Sequence, residues 1–357
     1  MKGILARHNR EDCPISPKHW QTYCLRKTMM GTDELGVTPL RLGNLRRLAQ
    51  RLGSSPTRLS EIAENARSYY DPFELDPSPR WFQRKGLDKK ARPIDRPTGE
   101  LLSLQKRINA ELLKPILVPP HIFGAVSGRS IFGNAECHRG ADLLVTLDIK
   151  QCFPSITPCH IYGVWSSALG CSPKVSRLLT ALTTFQRRLP QGAPTSPALA
   201  NLLIWSIDGP VRNRCLSLGV TYSTWIDDLA FSGTEARQLI QFTIELFRER
   251  GLRFSHRKTT IMGPNEVKML TGTRFGGISL RAPSAYLSQV RAGIHNMTAG
   301  KVEPAEFGPY TQQLLGRLQY VNRICPTDAR PLKNLLTKGL TLIPSPYRTG
   351  FQQFLQS

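Results

Sequence analysis

Hydrophobic and polar positions recur along this chain with two periods, and the switches between them predict its elements. Leu42, Leu45, Leu48, Ala49 and Leu52 share one helical face in a stretch from Leu40 to about Arg67. Gly53 stops the first helix there. Ser55 is placed to cap a second, with Pro56 at its first position. Two short helices about a glycine turn are either a DNA-reading helix-turn-helix or an N-terminal packing element. Residues 1 to about 38 show weak periodicity and predict an irregular or partly helical lead-in. Asp71-Pro72 through Pro79 reads as a loop and a domain boundary. Residues 80–97 predict a basic hairpin turning at Gly86. Leu101, Leu104, Ile108, Leu112 and Leu113 then give a helical period over 100–117.

Beyond residue 140, strand-like runs at 143–149, 222–226, 229–232 and 267–271 mix with helical ones at roughly 158–168, 173–186, 196–216 and 234–250. This is an α+β pattern. The tail, 285–357, reads as helical and basic, and Pro344 and Pro346 punctuate its end.

The strand runs carry the chemistry. Asp227-Asp228 sits between apolar residues, in Thr224-Trp225-Ile226-Asp227-Asp228-Leu229-Ala230-Phe231-Ser232, where a strand-turn-strand is expected. Adjacent carboxylates in a half-buried sheet repel each other and lose hydration. A divalent cation such as magnesium offsets that cost with hard oxygen ligands. Asp148 lies in a second apolar run, Leu143 to Ile149. Three carboxylates on neighbouring strands are the donor set of a two-metal phosphoryl-transfer site.

Composition narrows the partner. The 357 residues are 40% hydrophobic, enough for a sizeable core and two or three subdomains. Lys and Arg number 48 against 26 Asp and Glu, a net +22. Such an excess predicts a polyanionic partner, most often nucleic acid. The eight cysteines, at 13, 24, 137, 152, 159, 171, 215 and 325, form no CxxC and no zinc spacing. They read as reduced thiols of a cytosolic chain. Met1 to Arg10 lacks the apolar core of a signal peptide, and no run of about 18 apolar residues predicts a membrane span.

Three further segments carry candidate residues. Phe153, five residues past Asp148, either presses on a nucleotide sugar or is ordinary core. Leu189-Pro190-Gln191-Gly192-Ala193-Pro194-Thr195-Ser196-Pro197 permits close backbone approach at Gly192 and starts a helix that could meet phosphate. Gly251 to Thr259 holds Lys258, placed to approach pyrophosphate or to lie in a solvated basic loop.

Order and spacing unite these pieces. Asp148-x4-Phe153, Gln191-Gly192-x3-Ser196-Pro197, the Asp227-Asp228 pair, Gly251-x6-Lys258 and Leu270-Thr271-Gly272 follow one another in one chain. The set resembles the palm of reverse transcriptases, over about residues 80–280. Asn134-Ala135-Glu136-Cys137-His138 is similar to the NAxxH element of retron enzymes, and Leu270-Thr271-Gly272 to their VTG element. Phe123 to Ile131 resembles the block before the first metal strand. Arg92-Pro93-Ile94-Asp95-Arg96-Pro97, with Leu101, Leu104 and Gln105, resembles the fingers block.

The resemblance implies a right-hand polymerase fold. An N-terminal helical extension would span 1–75, fingers 76–142 with part of 157–190, palm 143–272 and a basic helical thumb 273–357. It implies that Asp148 and Asp227, with the Ile149 carbonyl, hold two Mg2+ ions beside the auxiliary Asp228. Lys85 and Arg92 would grip the triphosphate of an incoming dNTP, with Phe153 as sugar gate, Gln191 in the template-nucleotide pocket and Lys258 as proton donor. Asn134 and His138 would either fix the local fold or contact RNA. Thr271 and Gly272 would border the thumb, and Arg317 and Arg323 would contact RNA phosphates together with Arg330, Lys333 and Lys338. Three positions depart from the family pattern: Trp225 replaces a tyrosine, Cys152 a phenylalanine and Ser255 an asparagine.

The activity implied is RNA-directed DNA synthesis on a cognate structured non-coding RNA. It would be primed from an RNA 2′-hydroxyl and give branched multicopy single-stranded DNA. An effector protein, anti-phage defence and the bacterial cytoplasm are implied in the same way. Two other readings stand beside it. One is another stand-alone bacterial reverse transcriptase, of group II intron or abortive-infection type. The other is a non-catalytic RNA-binding scaffold.

Overall fold

A computed structural model describes residues 38–75, 91–276 and 279–356. It divides into two compact units, each with its own core. Residues 38–75, 92–130 and 143–261 make the first; 131–142 and 262–356 make the second.

The first unit opens with the expected helix pair. Asn44 caps Leu45–Arg51, and Ser55 caps Pro56–Glu64 by accepting from the Arg58 amide at 3.1 Å. That bond satisfies one of the amides a helix start leaves unpaired. Gly53, at φ +57°, makes the turn between them. Leu48, Leu52, Leu59 and Ile62 are buried, so the pair packs into the main core.

The Asp71-Pro72 segment is a correction. It is not a loop but the start of β1 (Tyr70–Leu75), antiparallel to β2 (Arg92–Pro97), with Tyr70 opposite Pro97. Three prolines fit because this ribbon has only two strands, and an edge strand tolerates a missing N–H. Of the expected basic hairpin, residues 80–90, including Lys85, lie outside the described residues. The helix after it runs Gly99–Ile108 and widens into a π-turn over Asn109–Leu113.

The sheet that carries the aspartates has the order β4-β5-β3-β6. Its members are β3 (Leu144–Asp148), β4 (Thr221–Trp225), β5 (Asp228–Ser232) and β6 (Thr260–Met262). The first three match expectation to within a residue or two at each end. Strand β6 has no counterpart in the sequence reading. The helix expected over 196–216 is two, Ser196–Ile207 and Gly209–Ser217, because Pro210 cannot donate to the preceding turn. Phe185–Arg188, expected at a helix end, is a turn after Pro173–Thr183. Leu147, Leu229, Phe231, Trp165, Leu203 and Phe247 fill the space between sheet and helices.

The second unit holds the helix Ile131–Glu136 and a three-stranded sheet, β7 (Met269–Leu270), β8 (Thr273–Gly276) and β9 (Ser279–Arg281). Four helices follow: Ser284–Thr298, Phe307–Ile324, Pro326–Gly339 and Arg348–Gln356. Only Met269–Leu270 of the strand expected at 267–271 forms. The helices close a core of Val290, Ile294, Leu314, Leu318, Leu336 and Phe351.

Among the described residues Cys137, Cys152, Cys171, Cys215 and Cys325 are reduced thiols; Cys13 and Cys24 lie outside the described residues. Among the described residues, no helix is long and apolar enough to cross a membrane.

Candidate active site

Antiparallel register brings the aspartates together. Asp148, the last residue of β3, pairs across the sheet with Asp228, the first of β5. Trp225 ends β4 opposite the same Asp228, so Ile226 and Asp227 form the hairpin turn beside Asp148. All three carboxylates therefore sit at one end of the sheet. Backbone bonds fix the place. The Ile149 amide donates to the Asp227 carbonyl at 2.9 Å, and the Ser255 amide donates to the Asp148 carbonyl at 2.8 Å.

The hairpin turn is strained and strapped. Ile226 has φ +56°, a left-handed conformation that a β-branched residue adopts rarely. The segment 121–124 lies against it. The Phe123 amide donates to the Thr224 carbonyl, and the Thr224 amide to the His121 carbonyl, each at 2.8 Å. Asn201 Nδ2 donates to the Gly124 carbonyl at 2.7 Å. Arg129 turns back and donates to the carbonyls of Val118, Pro119 and Ile122. Phe123 to Ile131 resembles a family block, and its strapping role has no local sequence signal. The glycine and arginine were visible, but the contact spans about a hundred residues of chain.

Charge is crowded here. Burial pushes Asp227 upward, and Asp148 adds to it; Lys258 and Arg92 pull it back. Burial, then the charges of Asp227 and Asp148, push Asp228 up to about 7. Lys258 Nζ donates to Asp148 Oδ2 at 2.6 Å, and that hydrogen bond holds its own ammonium above the usual range. Cys152 lies buried beside the group, its thiol pushed up by burial and by all three carboxylates. Phe153 is half-buried against the core, on the short helix Cys152–Ser155 whose cap, Gln151, has φ +49°.

The donor chemistry fits a divalent cation. Three hard carboxylates meet, their charge only partly offset by Lys258 and Arg92. As the side chains stand, no three His, Cys, Asp or Glu among the described residues form a metal-ligand group, and Lys258 occupies one oxygen of Asp148. The three carboxylates share one end of the sheet, and Asp148 is paired with Lys258 there.

Gln191 and Arg92 belong to the same unit. The Gln191 carbonyl accepts from the Asp95 amide at 2.7 Å, and the Arg92 charge reaches Asp227.

The second unit gathers the remaining candidates. Asn134 and His138 are buried, and burial lowers His138 to about 4. Thr271 Oγ1 donates to the Ile131 carbonyl at 3.5 Å, and the Gly272 carbonyl accepts from the Tyr320 hydroxyl at 2.9 Å. Tyr320 lies 5.8 Å from Phe132 and 5.0 Å from Tyr286, ring to ring. Arg323 covers Phe132 and Arg317 covers Tyr286. Two arginines and three aromatic rings thus form one ladder beside Thr271-Gly272.

Comparison with known proteins identifies the family. A family model described as reverse transcriptase (RNA-dependent DNA polymerase) matches residues 83–273. The chain is 31% identical over 227 residues to the retron Ec86 reverse transcriptase of Escherichia coli, covering 63% of this chain and 71% of that protein. It is 31% identical over 287 residues to the retron Mx162 reverse transcriptase of Myxococcus xanthus, covering 70% and 59%. It is 30% identical over 238 residues to the retron Se72 reverse transcriptase of Salmonella heidelberg, covering 65% and 60%. The chain thus spans less than two thirds of the length of the latter two.

Proposed function

The chain belongs to the retron-type reverse transcriptases, RNA-directed DNA polymerases, and from that premise we propose that it copies part of a cognate structured non-coding RNA into DNA at the Asp148–Asp227–Asp228 end of its sheet. The observation that carries this reading is the Asp148–Asp228 register with Asp227 on the turn beside it.

Asp148 and Asp227, with the Ile149 carbonyl and Asp228 beside them, would hold two Mg2+ ions, whose Lewis acidity activates a primer hydroxyl and steadies leaving pyrophosphate. The protein's own groups position the reactants. Arg92, with Lys85, grips the triphosphate of the incoming dNTP through charge-assisted hydrogen bonds. Phe153 presses on the sugar and leaves no room for a 2′-hydroxyl. Gln191 lines the template-nucleotide pocket. Trp225 packs beneath the primer end with a ring but no hydroxyl. Lys258 is the proton donor to pyrophosphate, and it must leave Asp148 to act.

In this reading residues 1–75 are an N-terminal helical extension, 76–142 with part of 157–190 the fingers, 143–272 the palm and 273–357 the thumb. The Arg317–Arg323 ladder and the Thr271-Gly272 turn meet RNA by stacking and phosphate contact. Synthesis starts from an RNA 2′-hydroxyl and leaves a branched RNA–DNA product. The complex acts in the bacterial cytoplasm with an effector protein in anti-phage defence.

Changing Asp227 and Asp228 together to Asn tests the catalytic part. Deoxynucleotide incorporation should disappear while RNA binding persists; incorporation at the wild-type rate would remove the assignment. The nucleic acid that co-purifies with the protein tests the retron part. A species cleaved by debranching enzyme supports it, and an unbranched RNA alone contradicts it.

A further inference from the structure

We propose that Asp95 and Arg188 are a positioning pair that locks the strand carrying Arg92 to the loop carrying Gln191, and so sets the pocket for the incoming nucleoside triphosphate. The inference rests on the nucleotide-binding roles given above to Arg92 and Gln191.

Asp95 lies on β2 and is 3% exposed. Arg188 meets it in a fork: Nη2 to Oδ1 at 3.0 Å and Nε to Oδ2 at 3.2 Å. A two-pronged guanidinium–carboxylate bond fixes orientation as well as distance, which a lysine cannot do. The same Asp95 donates its amide to the Gln191 carbonyl at 2.7 Å. At the next residue the Ile94 side chain presses on the bare Gly192 backbone. Gly192 has φ +109°, and a β-carbon there would stand 2.7 Å from Ile94 Cγ2. Side chain, amide and bare backbone thus join Ile94-Asp95 to the five residues 188–192.

The turn that delivers Arg188 is built at a cost. Its middle residues, Gln186 at φ +45° and Arg187 at φ +62°, are both left-handed, where hairpin turns ordinarily carry Asn or Gly. Phe185 anchors the turn by stacking on Tyr70 at 4.1 Å. Buried Gln105 ties that base together, donating to the Tyr70 hydroxyl at 3.0 Å and to the Leu182 carbonyl at 2.8 Å. Past the pair, the Leu189 amide donates to the Ile156 carbonyl at 2.8 Å, and Ser196 Oγ to the Pro190 carbonyl at 2.6 Å. The loop is therefore held at both ends, and at Gln191 the anchor is Asp95.

Arg92 sits three residues before Asp95 on the same strand, and so on its opposite face. A shift of Asp95 moves Arg92 and Gln191 together. Small misplacements of positioning groups cost far more in a reaction than in stability.

The test uses the full chain with an RNA template annealed to a DNA primer. It measures kcat and the KM for dNTP together with the melting temperature. Asp95→Asn, Arg188→Lys and the neutral double variant Asp95→Asn/Arg188→Met are compared with Arg92→Ala. The double variant leaves no buried charge unpaired, which keeps the comparison possible if a single change unfolds the protein. KM should rise about 10-fold in each folded variant, with kcat within about 3-fold. Lowered melting temperature with an unchanged KM would make the pair a plain structural bridge and overturn the proposal. Should Arg92→Ala raise KM while the pair's variants do not, only this inference falls. If Arg92→Ala also leaves KM unchanged, the nucleotide-site reading falls and takes the pair with it.

Discussion

Gly124 lies so close to Ile226 that a β-carbon on it would come within 2.7 Å of both the Ile226 amide nitrogen and its Cγ1. The nitrogen belongs to the turn that carries Asp227, so the obstacle is backbone and cannot rotate away. Gly124→Ala must therefore push the strap or the turn. We expect a loss of about 1–3 kcal/mol in unfolding free energy, as for overpacked cores. DNA synthesis should fall further, by about 100-fold, because the turn carries a reacting-site carboxylate. Denaturant unfolding and primer extension measured side by side check this. Equal, small losses in both would mean that the strap does not set the turn.

Asp208 makes a second long-range tie beneath the same hairpin. It is fully buried at the break between Ser196–Ile207 and Gly209–Ser217. One oxygen receives His121 Nε2 at 3.0 Å and the Tyr222 hydroxyl at 3.2 Å; the other receives Arg212 Nε at 2.9 Å. Those partners sit on the strap, on β4 and on the following helix. Asp208→Ala would strip all three of their acceptor. About 3–5 kcal/mol should be lost, read as a lower urea midpoint with an unchanged slope. A loss below about 1 kcal/mol would show that water replaces the carboxylate without cost.

How much of this was legible in the sequence follows from the range of each interaction. Ser55 capping its helix and Gly53 ending the previous one are decided within a few residues, and both were readable. The apolar runs around Asp148 and Asp227-Asp228 gave three strands because consecutive residues on both faces are buried in the core. Strand β1 was read as a loop because its Asp and Pro are turn residues by local propensity. Its pairing with β2, across residues 76–91, overrides that. Strand β6 is three residues long, too short to show a period. The Asp95–Arg188 fork joins residues 93 apart, and the Gly124 contact is equally remote, so neither leaves a local trace.

Lys258 supplies the positive charge nearest Asp148. Lys258→Met would leave that carboxylate facing Asp227 and Asp228 without its ammonium. Because Lys258 is largely exposed, the cost to stability should be modest, about 1 kcal/mol, or about 2–4 °C in melting temperature. Added magnesium should then raise the melting temperature more in the variant than in the wild type. An ion binding only the folded state stabilises it in proportion to its affinity, and the variant offers an uncontested carboxylate. A smaller magnesium effect in the variant would show that the lysine and the metal do not compete.

His138 gives the second unit a predictable sensitivity to acid. Burial lowers it to about 4 in the folded protein, against about 6.5 in an unfolded chain. The folded state therefore refuses a proton that the unfolded state accepts between those two values. Stability is unaffected by this group above pH 6.5, declines as pH falls below it, and levels off near pH 4. At pH 5 the loss attributable to His138 is about 2 kcal/mol. Amide hydrogen exchange over residues 131–142, corrected for its intrinsic pH dependence, reads this directly. Protection should drop between pH 7.5 and 5 in the wild type. His138→Gln should be less protected at pH 7.5, since a buried ring is replaced by an amide, but should show a much flatter pH dependence. Parallel slopes in the two proteins would assign the acid sensitivity to other groups.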